Sequence, residues 1–95
     1  MRNYEIMLVF KPQLDDEAID AALARYGEIL GGLGGEITNI NKWGKRRLAY
    51  EIDDITEGYY VVLNTTATPA AIEELNRVLK ITNETLRYLI VADEQ

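Results

Sequence analysis

The chain has neither cysteine nor histidine among its 95 residues. Without cysteine there is no disulfide framework, no thiolate nucleophile and no thiolate metal site. That suits a reducing compartment. Without histidine the commonest general base and the commonest transition-metal ligand are both missing. No uninterrupted apolar run exceeds five residues, a length reached at Ile6–Phe10 and Tyr59–Leu63. A membrane-spanning helix needs about 20 such residues. The first residues, Met1-Arg2-Asn3-Tyr4-Glu5, carry no apolar core of a signal peptide. Together these absences make a soluble cytoplasmic protein the default reading, and no cofactor is expected.

Positive charge is scarce too. Ten Lys and Arg face sixteen Asp and Glu, for a net charge of −6 and a pI near 4.5. Four of the ten cations nevertheless fall in one stretch, Lys42-Trp43-Gly44-Lys45-Arg46-Arg47-Leu48-Ala49-Tyr50-Glu51-Ile52, which also holds the only tryptophan. A cationic cluster in an acidic chain is the place to look for an anionic partner. Leu48, Tyr50 and Ile52 recur at every second position, so the cations sit on or just before a β-strand, splayed to both of its sides. Charge alone fits two readings equally: an edge strand guarded against strand addition, or an anion-binding surface.

Length and composition predict one domain over residues 1–95. Residues 3–10 read as a strand, apolar on both faces and therefore central, ended by Lys11-Pro12-Gln13. Asp15 predicts a helix N-cap, with Asp16 and Glu17 in the first turn. Ile19, Ala22, Leu23, Tyr26, Ile29, Leu30 and Leu33 then form one apolar stripe. The glycines at 31, 32, 34 and 35 stop that helix and do not open one, which excludes a phosphate loop.

Residues 36–52 read as one long strand with a bulge or bend at Gly44. An acidic turn follows over 53–58; its spacing is not that of a calcium loop. Residues 58–66 predict a third strand, again central. Thr68 and Pro69 start a second helix with Ile72, Leu75 and Leu79 inward, ending near Lys80-Ile81. Residues 85–91 predict the last strand, and 92–95 a short acidic tail.

The order β-α-β-β-α-β is the ferredoxin-like split βαβ, an α+β fold. Right-handed crossovers give a four-stranded antiparallel sheet of order 4-1-3-2, with both helices on one face. Tyr4, Ile6, Leu8 and Phe10 face the helices in this reading. The open face then carries Glu5, Met7, Val9, Tyr60, Val62, Asn64, Arg87, Leu89 and Val91. Such a half-apolar face, with a tyrosine and an arginine, can stack or dock a partner.

At Trp43-Gly44-Lys45-Arg46-Arg47-Leu48-Ala49-Tyr50-Glu51-Ile52 the chain resembles the bacterial small-ribosomal-subunit protein six family. Met1-Arg2-Asn3-Tyr4-Glu5-Ile6-Met7, Glu57-Gly58-Tyr59-Tyr60, Leu75–Ile81 and Leu86–Val91 extend the resemblance over nearly the whole length. It implies the same fold and a structural part of the small ribosomal subunit. It further implies binding to the central domain of small-subunit ribosomal RNA beside a small basic partner, ribosomal protein eighteen of that subunit. Carried onto this sequence, the RNA- or partner-facing candidates are Arg2, Lys42, Lys45, Arg46, Arg47, Tyr60 and Arg87.

The acidity departs from a typical RNA binder, and repulsion from phosphate makes the chain a poor binder alone. It fits a need for the basic partner. It also fits a stand-alone or redesigned ferredoxin-like scaffold whose RNA binding is weak or lost. An RRM is disfavoured because Glu57–Asn64 keeps only the Gly-aromatic pair of the third-strand signature. An acylphosphatase-like enzyme is disfavoured because residues 11–15 offer one lysine and no arginine cradle. A ligand-sensing domain dimerising through exposed Met7, Val9, Val62 and Leu89 would leave the cationic stretch unexplained.

Overall fold

The computed structural model describes residues 1–52 and 54–92. Asp53 of the expected acidic turn, and the expected tail after Ala92, lie outside them. The elements run β1 (Arg2–Phe10), α1 (Asp16–Gly32), β2 (Glu36–Ile52), β3 (Ile55–Ala67), α2 (Pro69–Ile81) and β4 (Thr85–Ala92). The sheet order is β2-β3-β1-β4, all neighbours antiparallel. This is the expected 4-1-3-2 arrangement read from its other end.

Local chemistry explains the helix limits. Asp15 stays extended and its Oδ1 accepts the Ala18 N–H at 2.8 Å. Thr68 does the same for Ala71 at 3.2 Å, with Pro69 in the first turn of α2. Each cap satisfies an N–H that the helix cannot pair internally. At the other end of α1, Gly34 takes φ +85°. Gly35 then donates to the Leu30 carbonyl at 2.7 Å and Gly34 to that of Gly31 at 3.2 Å, the Schellman closure that needs a left-handed residue. Leu33 is the C-cap and is exposed. It therefore leaves the expected buried stripe, because the helix ends one residue before it.

The core lies between the sheet and the helices. Ile6, Leu8 and Phe10 of β1 and Val61 and Leu63 of β3 are fully buried. They meet Ile19, Ala22, Leu23, Tyr26 and Leu30 of α1 and Ala71, Ile72, Leu75 and Leu79 of α2. The two inner strands are the two read as central from their apolar faces.

The expected open face is the observed one. Met7 stands between Val62 and Leu89, Val9 between Tyr60 and Arg87, and Glu5 between Asn64 and Val91. Directly opposed residues of antiparallel strands share a face. Two corrections apply here. β3 begins at Ile55, not 58, so the turn is shorter than expected and the β2–β3 hairpin longer. Val9 and Val62, expected to be exposed, are 2% and 9% accessible. For Val9 the reason is the hairpin. A Cβ on Gly58 would collide with Val9 Cγ1 and sit 3.5 Å from Leu48 Cδ2. Leu48 thus closes over Gly58 and Val9 and is itself buried. Leu89 remains 57% exposed.

Candidate functional site

The site grows out of an irregularity in β2. Lys42 opposes Val61 and Gly44 opposes Tyr60, which leaves Trp43 as an extra residue between two rungs. Gly44 takes φ +86° there. A bulge of this kind kinks the strand and re-aims a side chain. The re-aimed side chain is Trp43. Its ring lies nearly parallel to that of Tyr60, 9° between planes and 6.3 Å between centroids. That distance falls in the range of offset stacking. Trp43 stays 44% exposed, so an indole face remains open to solvent.

Arg46 opposes Gly58, on the open-face side of β2. With Trp43 and Tyr60 it lines a hollow of about 450 Å³. A second hollow of about 210 Å³ is lined by Met7, Val9, Tyr60, Arg87, Tyr88 and Leu89. Tyr60 therefore stands between two hollows, each with one arginine at its wall. Arg87 Nη1 donates to the Tyr50 hydroxyl at 3.1 Å, which draws the end of β2 toward β4.

The seven residues singled out from sequence do not form one cluster. Arg46, Tyr60 and Arg87 come together around the two hollows. Lys45 and Arg47 oppose Tyr59 and Glu57, on the helix side of the same strand segment. Lys42 points to the helix layer and pairs with Asp20 of α1. The hydrogen bond to that carboxylate is the main cause that holds the Lys42 pKa above its usual value. Arg2 opposes Ala67 at the far end of the sheet. It is seven residues from Val9 along β1, roughly 24 Å at strand rise. Trp43 and Tyr50, which the structure adds to this surface, are not among the seven. The signal for Trp43 was an aromatic directly before the strand glycine, in a strand too long to be regular.

A protein-family model described as ribosomal protein S6 matches residues 3–92. Small ribosomal subunit protein bS6 of Desulforudis audaxviator is 47% identical over 94 residues, spanning 99% of this chain and 100% of that protein. Its counterpart in Moorella thermoacetica is 43% identical over 95 residues, spanning 100% of this chain and 97% of that protein. The crystal structure of 30S ribosomal protein S6 from Thermotoga maritima superposes with a TM-score of 0.88 at 27% identity, covering 97% of this chain and 87% of that one. The C-terminal domain of MgtC from Mycobacterium tuberculosis shares the fold alone, with a TM-score of 0.64 at 14% identity over 100% of this chain and 90% of that one.

Proposed function

Because the chain belongs to the ribosomal protein S6 family, we propose that it is a component of the small ribosomal subunit that binds the central domain of small-subunit ribosomal RNA. It does so beside a small basic partner, ribosomal protein eighteen of that subunit. It works in the cytoplasm, with the ribosome, and as a structural part, not a catalyst.

The observation that carries the RNA-binding reading is the placement of charge. The chain is −6 overall, yet Arg46 and Arg87 flank the Trp43–Tyr60 pair on the face that no helix covers. Cations beside open aromatic faces suit a backbone of phosphates carrying stackable bases. The acidic remainder, rich on α1 and its cap at Asp15, Asp16, Glu17, Asp20 and Glu28, repels phosphate and suits a basic protein instead. Affinity for RNA then depends on both proteins together.

The test is binding to a central-domain RNA fragment across a salt series, with and without the basic partner. The expected result is tight binding only with the partner, weakening as salt rises. An absence of binding with the partner at low salt would overturn the reading.

A further inference from the structure

We infer that the hollow between Trp43, Arg46 and Tyr60 takes one unpaired nucleobase, stacked against the Trp43 indole, with Arg46 on the adjoining phosphate. This rests on the RNA-binding reading and specifies which part of the RNA this surface holds: a single-stranded base and not the duplex backbone.

Three observations carry it. The first is the bulge. An exposed tryptophan costs apolar hydration, and nothing in the sheet ladder requires one at this rung. Here the strand gives up a regular pairing and places Gly44 at φ +86°, and the outcome is an indole held parallel to Tyr60 and open to solvent. A flat, pre-oriented ring is a stacking platform for a flat ligand. The second is the shape of the hollow. At about 450 Å³ it has room for a base, and its walls are two aromatic rings and one guanidinium. Bases splayed out of a loop or bulge are read on aromatic and arginine planes of this kind, whereas paired bases are not available to them.

The third observation is charge. A protein side chain such as leucine or phenylalanine would suit the rings but would gain nothing from Arg46. Among the described residues no carboxylate pairs with Arg46, whereas Arg25, Lys42 and Arg77 are all taken by Glu84, Asp20 and Glu74. A nucleotide supplies both a planar ring and an anion, and so satisfies both features of the hollow at once.

Trp43 is the only tryptophan, so its fluorescence reports on the site directly. The full chain is mixed with the basic partner and titrated with the central-domain RNA fragment. Trp43→Phe serves as the blank for any emission from the partner. The expected result is quenching on RNA addition and no change with partner alone. Trp43→Ala should weaken RNA binding about 10- to 100-fold while leaving its salt dependence unchanged. Trp43→Phe, which keeps a ring, should recover most of that loss. Arg46→Ala should flatten the logarithmic salt slope by about 1. The melting temperature of each variant checks that the fold is kept.

If RNA binds but emission stays constant, or Trp43→Ala binds within twofold of the parent, the hollow does not hold a base, and the RNA-binding reading survives without it. If emission changes with partner alone and not further with RNA, a protein side chain fills the hollow and the inference fails. If no RNA binds under any condition, both fail together.

Discussion

Arg87 on β4 and Tyr50 on β2 are hydrogen-bonded at 3.1 Å, although β3 and β1 lie between their strands in the sheet. The bond spans the sheet from one edge to the other. It is possible because the hairpin end of β2 and β3 curls over the open face, the same movement that buries Leu48 and Val9. Both partners are exposed, so the bond is weak on its own. A double-mutant cycle of Tyr50→Phe and Arg87→Ala should give a coupling of about 0.5–1 kcal/mol in urea denaturation. Strict additivity would mean that the hairpin curl does not depend on this contact.

The cations of β2 should not be equivalent. Arg46 lines the Trp43–Tyr60 hollow, whereas Lys42 is occupied by Asp20 and Arg2 lies at the other end of the sheet. Arg46→Glu with Arg47→Glu should abolish assembly with RNA and partner while leaving the fold intact, since these side chains are surface groups. Lys42→Glu should weaken assembly less, because that lysine is already neutralised. Gel-shift titrations at fixed salt compare them. Equal losses from all sites would point to a diffuse field in place of a local contact.

The fold was legible because its signals are local and agree with one another. Asp15, Thr68-Pro69 and the glycines after Leu30 mark helix ends through bonds made within a few residues. The alternation in β1 and β3 reports burial on both faces, which only inner strands have. The site was legible in part. Tyr60 and Arg87 could be placed on one face by counting residues in twos, whereas Arg46, beyond the bulge, could not. Two things defeated that count. The bulge at Trp43 shifts the register of β2, so parity before it does not predict parity after it. The curl of the hairpin over Val9 is a long-range contact through Leu48, and no periodicity encodes it. Arg2 and Lys42 join the candidates through the family resemblance, which assigns residues to a function and not to one patch of the sheet.

Substitution at three glycines should have opposite signs. Gly27→Ala sits mid-helix, and its new Cβ would meet only Ile37 Cδ1, at 3.6 Å. It should stabilise the chain by about 0.5–1 kcal/mol. Gly58→Ala would drive a methyl into Val9 beneath Leu48 and should cost about 1–3 kcal/mol. Gly44→Ala has open space but a left-handed backbone. It should cost about 1 kcal/mol and disturb the Trp43 emission spectrum as the bulge relaxes. Thermal unfolding of the three single variants checks the order. A stabilising Gly58→Ala would contradict the packing of the hairpin.

Leu8 and Leu63 are fully buried on the helix side of the two inner strands. Truncating either to alanine should cost about 2–5 kcal/mol, the transfer of the lost side chain plus a cavity that rigid neighbours cannot fill. Leu89→Ala, on the exposed edge of the open face, should cost under about 1 kcal/mol. Denaturant midpoints of the three variants provide the comparison. A loss under 1 kcal/mol at Leu8 would reverse the assignment of the two faces.

Stability should fall at high pH through one tyrosine. Tyr26 is 1% exposed, and its hydroxyl lies 3.5 Å from Glu84 Oε2. Burial, then the Glu84 charge, pushes its pKa from 10.0 up to about 12, against the opposing pull of Arg25. The unfolded chain therefore gives up this proton at a lower pH than the folded one. The contribution is fully present below about pH 10 and is lost as pH rises toward 12, roughly 2 kcal/mol over that window. Tyr26→Phe removes the ionisable group and its long hydrogen bond to Glu84. It should lie within about 1 kcal/mol of the parent at neutral pH and lose less stability between pH 10 and 12. The two proteins differ only at this position, so the difference between the two urea-midpoint profiles isolates Tyr26. Parallel profiles through that window would mean that the Tyr26 hydroxyl is as free to ionise in the folded chain as in the unfolded one, and that Glu84 is held for its bond to Arg25 alone.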